Sequence, residues 1–268
     1  MRGTTNVAAF KAYLEGERAF SLVNEGSMAT SRDKFREATT LDPNFARAWG
    51  YLSYSYMRSI LVKWLSDSEL PAAEEYALKA VELDGNAHPD LPAVDYAPYW
   101  DLAFVYLNTD RIPQAVEQYD KAIDLYDNLT DRLDRKPGLL AEAAVAYLRH
   151  GNRERAAQLA QKAQLIPGWY RWNNAFVLYM QRDYEGAMVE LDHPDLDPGH
   201  PQFIAEILLF RAAVQGCMGD VAGGRASIER FLGLRPDTTF EDVLDNWRFT
   251  NAADNDFWRE GLERVWPK

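Results

Sequence analysis

The sequence predicts an all-α fold, a right-handed superhelical solenoid of helix-turn-helix pairs closed by a C-terminal capping helix. Three observations carry this. Ala38, Ala80, Ala122 and Ala163 recur at intervals of 42, 42 and 41 residues, and an interval of that size marks a helical repeat. Each of these alanines ends a triplet spaced by four and three: Ser31-Phe35-Ala38, Ala73-Ala77-Ala80, Ala115-Tyr119-Ala122 and Ala156-Ala160-Ala163. That spacing puts three residues on one helix face. Breakers such as Pro43, Pro167 and Pro236 then follow the periodic stretches and stop the helices. Two short helices cannot bury their apolar faces alone, so each pair must pack on the next.

The chain divides accordingly into one repeat domain over residues 1–268. Residues 8–23 and 28–41 form the first pair (8–43), which ends at Leu41-Asp42-Pro43. The second (46–84) has helices at 46–60 and 70–84. Its long connection, 58–69, carries Leu61, Val62, Trp64 and Leu65, apolar residues that a longer helix would cover. A breaker-rich loop precedes the third pair (96–126), the best-formed copy, and polar residues separate it from the fourth (137–167), which turns at His150-Gly151-Asn152. The fifth pair (169–191) has a short second helix. The sixth (202–236) is followed by the cap, 237–268, with a turn of helix at 239–246 and a clearer one at 254–265.

The first helices share a second pattern: Trp49-x2-Leu52-Ser53-x2-Tyr56, Tyr99-x2-Leu102-Ala103-x2-Tyr106 and Leu140-x2-Ala143-Ala144-x2-Tyr147. With the small-aromatic-small triplets this resembles the tetratricopeptide repeat. The family's period is about 34 residues, and the excess falls in the connections near 58–69, 86–95 and 127–136. HEAT-like repeats share a period of about 40 residues but lack this pattern, and an irregular helical bundle would not repeat. A narrower resemblance covers nearly the whole chain. NVAAFKAYLEGERAF, LDPNFARAWGYLSYSY and the closing FLGLRPDTTFEDVLDNWRFTNAADNDFWREGLERV look like the tetratricopeptide regions at the C-terminal end of bacterial class III adenylate cyclases and related signalling regulators. That resemblance implies a signalling or assembly module without cyclase activity.

Composition narrows the partners. The net charge of −12 repels phosphate backbones, so no nucleic-acid partner is expected. The single cysteine, Cys217, permits no intrachain disulfide and fits a reducing cytoplasm. No signal-peptide core and no apolar run of about 18 residues is present, so neither export nor a membrane span is expected. Aromatics make up 13% of the chain, with 8 Trp and 14 Tyr, more than helix propensity favours, so packing or recognition must use them.

In a tetratricopeptide solenoid the first helices line the concave face. Opposite the packing residues, helical spacing places Arg47, Tyr54, Met57 and Arg58 in the second pair and Trp100, Phe104 and Asn108 in the third. The fourth offers Ala141, Val145 and Arg149, and the fifth Trp169, Trp172, Phe176 and Tyr179. Aromatics with scattered arginines are the usual interface anchors. The expectation is therefore a non-enzymatic scaffold or signalling adaptor that takes a partner peptide or segment in this groove. The competing reading is that these aromatics pack against neighbouring helices or the C-terminal tail. A regulatory sensor holding a small ligand in the same groove is the alternative function. Self-association is left open. The Lys/Asn/Arg set of a carboxylate clamp is missing.

Other chemistry finds little support. Asp192, His193, Asp195, Asp197 and His200 share one loop and would make a metal-dependent hydrolase, but prolines at 194, 198 and 201 shape that stretch as an inter-repeat turn. No nucleophile elbow, P-loop or dinucleotide fingerprint is present, so no catalytic residue, metal or cofactor is assigned.

Overall fold

A computed structural model of the chain describes residues 3–85, 95–127, 137–163, 168–196 and 201–267. Fourteen α-helices and no strand occur among them. The chain forms two compact units, Met1–Leu133 and Asp134–Lys268. Unit 1 holds α1 (Val7–Phe20), α2 (Glu25–Leu41), α3 (Ala46–Leu61), α4 (Leu70–Gly85), α5 (Ala97–Leu107) and α6 (Ile112–Asp127). Unit 2 holds α7 (Pro137–Arg149), α8 (Arg153–Lys162), α9 (Arg171–Met180), α10 (Tyr184–Leu191), α11 (Pro201–Met218), α12 (Val221–Leu234), α13 (Phe240–Asn246) and α14 (Ala252–Glu263). Odd and even helices from α1 to α12 pack as successive pairs.

The turns inside the pairs share one device. Val23 (φ 48°), Asp110 (φ 60°), Gly151 (φ 92°), Arg182 (φ 66°) and Gly219 (φ 82°) are left-handed, each two residues before the second helix of its pair begins. Between them stand Asn24, Asn152, Asp183 and Asp220, whose side chains accept the backbone N–H of Ser27, Arg155, Gly186 and Gly223. These caps satisfy donors that a helix start otherwise leaves unpaired. Only two of the five left-handed residues are glycine, and valine is the least suited to that conformation. Val23→Gly is therefore expected to raise stability by about 1 kcal/mol, and Gly151→Ala to lower it by about as much. Urea unfolding followed by circular dichroism checks both, and changes of the same sign would contradict the turn geometry.

The second pair is different. The α3 helix continues through residues 58–61, then Lys63 turns left-handed (φ 60°) and a 3-10 turn at Asp67–Glu69 leads into α4. Val62 is buried, and Leu61, Trp64 and Leu65 are half-buried, so a helix extension plus a folded turn covers the apolar connection. The α2 and α12 helices end where expected. Asp42 is extended and Arg235 is non-helical ahead of their prolines, because a residue before proline avoids helical geometry.

The repeated triplets are the core. Ser31, Phe35, Ala38, Ala73, Ala77, Ala80, Ala115, Tyr119, Ala122, Ala156 and Ala163 are buried, and Ala160 is half-buried. Small residues let the paired helices approach closely enough for side-chain-to-backbone bonds. The Ser31 hydroxyl donates to the Gly16 carbonyl at 3.1 Å, and the Ser53 hydroxyl to the Ala73 carbonyl at 2.6 Å. In unit 2 the α14 helix lies against α11 and buries Phe257, Trp258, Leu262 and Asp254.

Candidate partner-binding faces

In unit 1 the predicted face is built on α3 and α5, which pack side by side. Tyr54 and Phe104 meet with ring centroids 4.6 Å apart, and Phe20 of α1 also reaches Tyr54, at 5.5 Å. Trp100, one helical turn before Phe104, reaches Tyr54 at 6.3 Å and stays half-buried. Arg58 is half-buried one turn beyond Tyr54. Arg47 is bound to Asp95, Nη2 to Oδ2 at 2.5 Å. Burial alone would lower the Arg47 pKa, but the Asp95 carboxylate outweighs it and the pKa rises above the ordinary guanidinium value. The Asn108 amide donates to the Phe104 carbonyl at 2.8 Å and caps its own helix.

This corrects the expected accessibility in unit 1. Tyr54 and Phe104 are 8% and 6% exposed and belong to the hydrophobic core, and Met57 is fully buried. A helix in a stack touches neighbours on more than one side. The face opposite its own partner is therefore partly taken by the next first helix. Arg47, Arg58, Trp100 and Asn108 are the predicted residues of this unit that remain half-buried.

In unit 2 the correction is larger, because the predicted face is covered by the tail. Trp172 is half-buried and stacks on Phe210 at 5.6 Å, with planes 9° apart. Phe176 is fully buried among Phe210, Trp247, Phe249 and Trp258. Tyr179 is 1% exposed and stacks on Phe257 at 5.0 Å. Burial pushes its phenol well above the ordinary value, so it stays neutral. Arg149 is 6% exposed; its Nε donates to the Arg248 carbonyl at 2.9 Å. Ala141 and Val145 are buried as well. The side chain of Trp169 lies outside the described residues. The packing alternative weighed against an open groove thus describes Phe176, Tyr179 and Arg149.

Sequence reasoning missed the residues that do this covering: Trp247, Phe249, Asp254, Phe257 and Trp258. Their signal was composition. Four aromatics within twelve residues exceed what a capping helix at the surface needs. Arg153 of α8 pairs with Asp254, an ion pair linking residues a hundred positions apart and invisible to local periodicity.

The Asp/His loop gathers no cation site among the described residues. Asp192 pairs with Arg211 at 2.5 Å, and the Asp195 N–H donates to His193 Nδ1 at 3.1 Å, as in a turn. Asp197 and His200 lie outside the described residues. Cys217 is half-buried 3.8 Å from the Tyr179 hydroxyl. No helix among the described residues is long and apolar enough to cross a membrane.

No family model and no curated protein matches the chain, and the resemblance to cyclase C-terminal regions gains no support there. Solved structures do match. The Cut9–Hcn1 hetero-tetramer of APC/C is 15% identical with a TM-score of 0.58; the match covers 95% of this chain and 46% of that one. The chain therefore spans less than half of that structure's chain. PilF of Pseudomonas aeruginosa is 17% identical with a TM-score of 0.51 over 86% of this chain and 95% of its own. A tetratricopeptide repeat protein from Parabacteroides merdae ATCC 43184 is 14% identical over 94% of this chain and 99% of its own, with a TM-score of 0.47, too low to add weight. Together with the helix pairs and their buried triplets, the first two likenesses support a fold of the tetratricopeptide-repeat kind.

Proposed function

We propose that the chain is a non-enzymatic protein-binding module, a scaffold or adaptor. It takes a peptide or extended segment of a partner on the inner faces of its first helices. The observation that carries this is Trp100. It stands half-buried beside a rigid floor of Tyr54 and Phe104, with Arg58 on the neighbouring first helix. A rigid, partly accessible aromatic is the usual make-up of an interface anchor. Arg47 is held by Asp95 and Asn108 by its own helix.

Panning a peptide display library against the whole chain tests the reading. Enriched peptides are expected to bind the unaltered chain and to lose at least tenfold in affinity on Trp100→Ala, with the helical circular dichroism unchanged. A library that enriches nothing, or peptides indifferent to Trp100→Ala, would defeat it.

A further inference from the structure

The predicted face of unit 2 is filled by a segment that is bound in the manner of a peptide. Residues 247–250, between α13 and α14, are not helical. Their backbone is gripped by one inner-face arginine. Arg149 Nε donates to the Arg248 carbonyl at 2.9 Å, and the Thr250 N–H donates to the Arg149 carbonyl at 2.8 Å. Their side chains enter an aromatic site. Trp247 stands edge-on to Phe210 at 4.8 Å, Phe176 at 5.1 Å and Trp172 at 6.1 Å. The Arg149 guanidinium lies 6.0 Å from its ring centroid. Phe249, two residues on, reaches Phe176 at 5.9 Å. Asn255 then clamps Phe249 from both sides, accepting its N–H at 2.9 Å and donating to its carbonyl at 2.8 Å.

Apart from the Asn255 clamp, the rest of the tail is held by other contacts. The α14 helix has its own anchors: Trp258 is 1% and Leu262 0% exposed, and Asp254 pairs with Arg153. The preceding α13 helix buries only Val243, and Trp247 is half-buried where Trp258 is fully buried. Within the segment itself the hold is concentrated in two rings, Trp247, which is half-buried, and Phe249, which is 5% exposed, so the segment can open locally once those two contacts are lost. With the segment in place, Arg149, Phe176 and Phe210 are all more than nine-tenths buried.

We propose that Trp247–Thr250 is a resident ligand. The inner face of unit 2 recognises an aromatic-x-aromatic segment, through the carbonyl between the two aromatics and the N–H that follows them. The chain's own copy occupies the face until a partner segment of the same chemistry displaces it. This rests on the reading of the first helices as peptide-binding, and it names the partner's chemistry. Tethering holds the resident segment at an effective concentration of roughly millimolar order, so the unaltered chain should refuse a micromolar competitor.

The test uses the full chain and the full chain carrying Trp247→Ala and Phe249→Ala. The probe is a fluorescein-labelled peptide of residues 244–253, with a second labelled peptide bearing the same two alanines as control. By fluorescence anisotropy the double variant should bind the aromatic peptide at least tenfold more tightly than the unaltered chain does, and should ignore the control peptide. Helical circular dichroism should be retained. A folded double variant that binds no better than the unaltered chain overturns the proposal. So does equal binding of the control peptide, and so does a double variant that unfolds, because the segment is then core. The readout lies in unit 2. Its failure leaves the Trp100 result in unit 1 standing, and the reverse holds.

Discussion

Gly216→Ala is expected to destabilise the chain by about 3 kcal/mol, a large effect for a single methyl group. A Cβ at 216 would stand 2.2 Å from the Gly261 carbonyl oxygen and 3.3 Å from Val265 Cγ1. The first of these is backbone of α14, fixed within its own helix, so no side chain can rotate away. A Cβ at 261 would stand 2.3 Å from the Tyr179 hydroxyl and 3.3 Å from the Ala213 carbonyl. The two glycines therefore set the approach of α11 and α14, and widening it uncovers Trp258 and Leu262, both essentially fully buried. Gly233 of α12 provides the contrast, since nothing lies within 4 Å of a Cβ there. Gly233→Ala is expected to stabilise by about 0.5–1 kcal/mol through helix propensity alone. Urea unfolding followed by tryptophan fluorescence compares the two. Equal effects would mean that α14 does not depend on the glycine contact.

The contrast between those glycines is also a contrast in what the sequence could show. The buried triplets were legible because their cause is local: three residues on one helix face, repeated at a nearly fixed interval, with prolines and Asn or Asp caps at the boundaries. Ala38, Ala80 and Ala122 sit in the core for the same reason that they stand at intervals of 42. The allocation of the opposite face was not legible. Helical spacing places Phe176 and Tyr179 on one side of α9, but says nothing of what arrives there from elsewhere in the chain. What arrives is Trp247, Phe257 and Trp258, about seventy to eighty residues later, and Trp247 lies outside any helix, where periodicity carries no signal. Trp100 and Phe104 show the same limit at shorter range. Both were assigned to the inner face of α5, yet only Trp100 keeps access, because Phe104 meets Tyr54 of the adjacent first helix.

The Arg153–Asp254 pair should respond asymmetrically to substitution. The Asp254 side chain is 2% exposed, whereas Arg153 is 37% exposed, and Arg153 also donates to the Met180 carbonyl at 2.8 Å. Asp254 lies in the first turn of α14, where the helix dipole favours its charge. Its second oxygen, Oδ2, has no partner among the described residues. Arg153→Ala therefore leaves a buried carboxylate without its countercharge, at an expected cost of about 3 kcal/mol. Asp254→Ala removes the buried charge itself and leaves Arg153 to water, at a cost of about 1 kcal/mol, much of it the lost dipole interaction. The double substitution should resemble Asp254→Ala, since the burden that Arg153→Ala exposes is then gone. Equilibrium unfolding of the three variants measures the coupling. Equal losses in the two single variants would show that the pair acts by mutual attraction; the expected inequality would show that Arg153 is there to make burial of Asp254 tolerable, and with it the docking of α14.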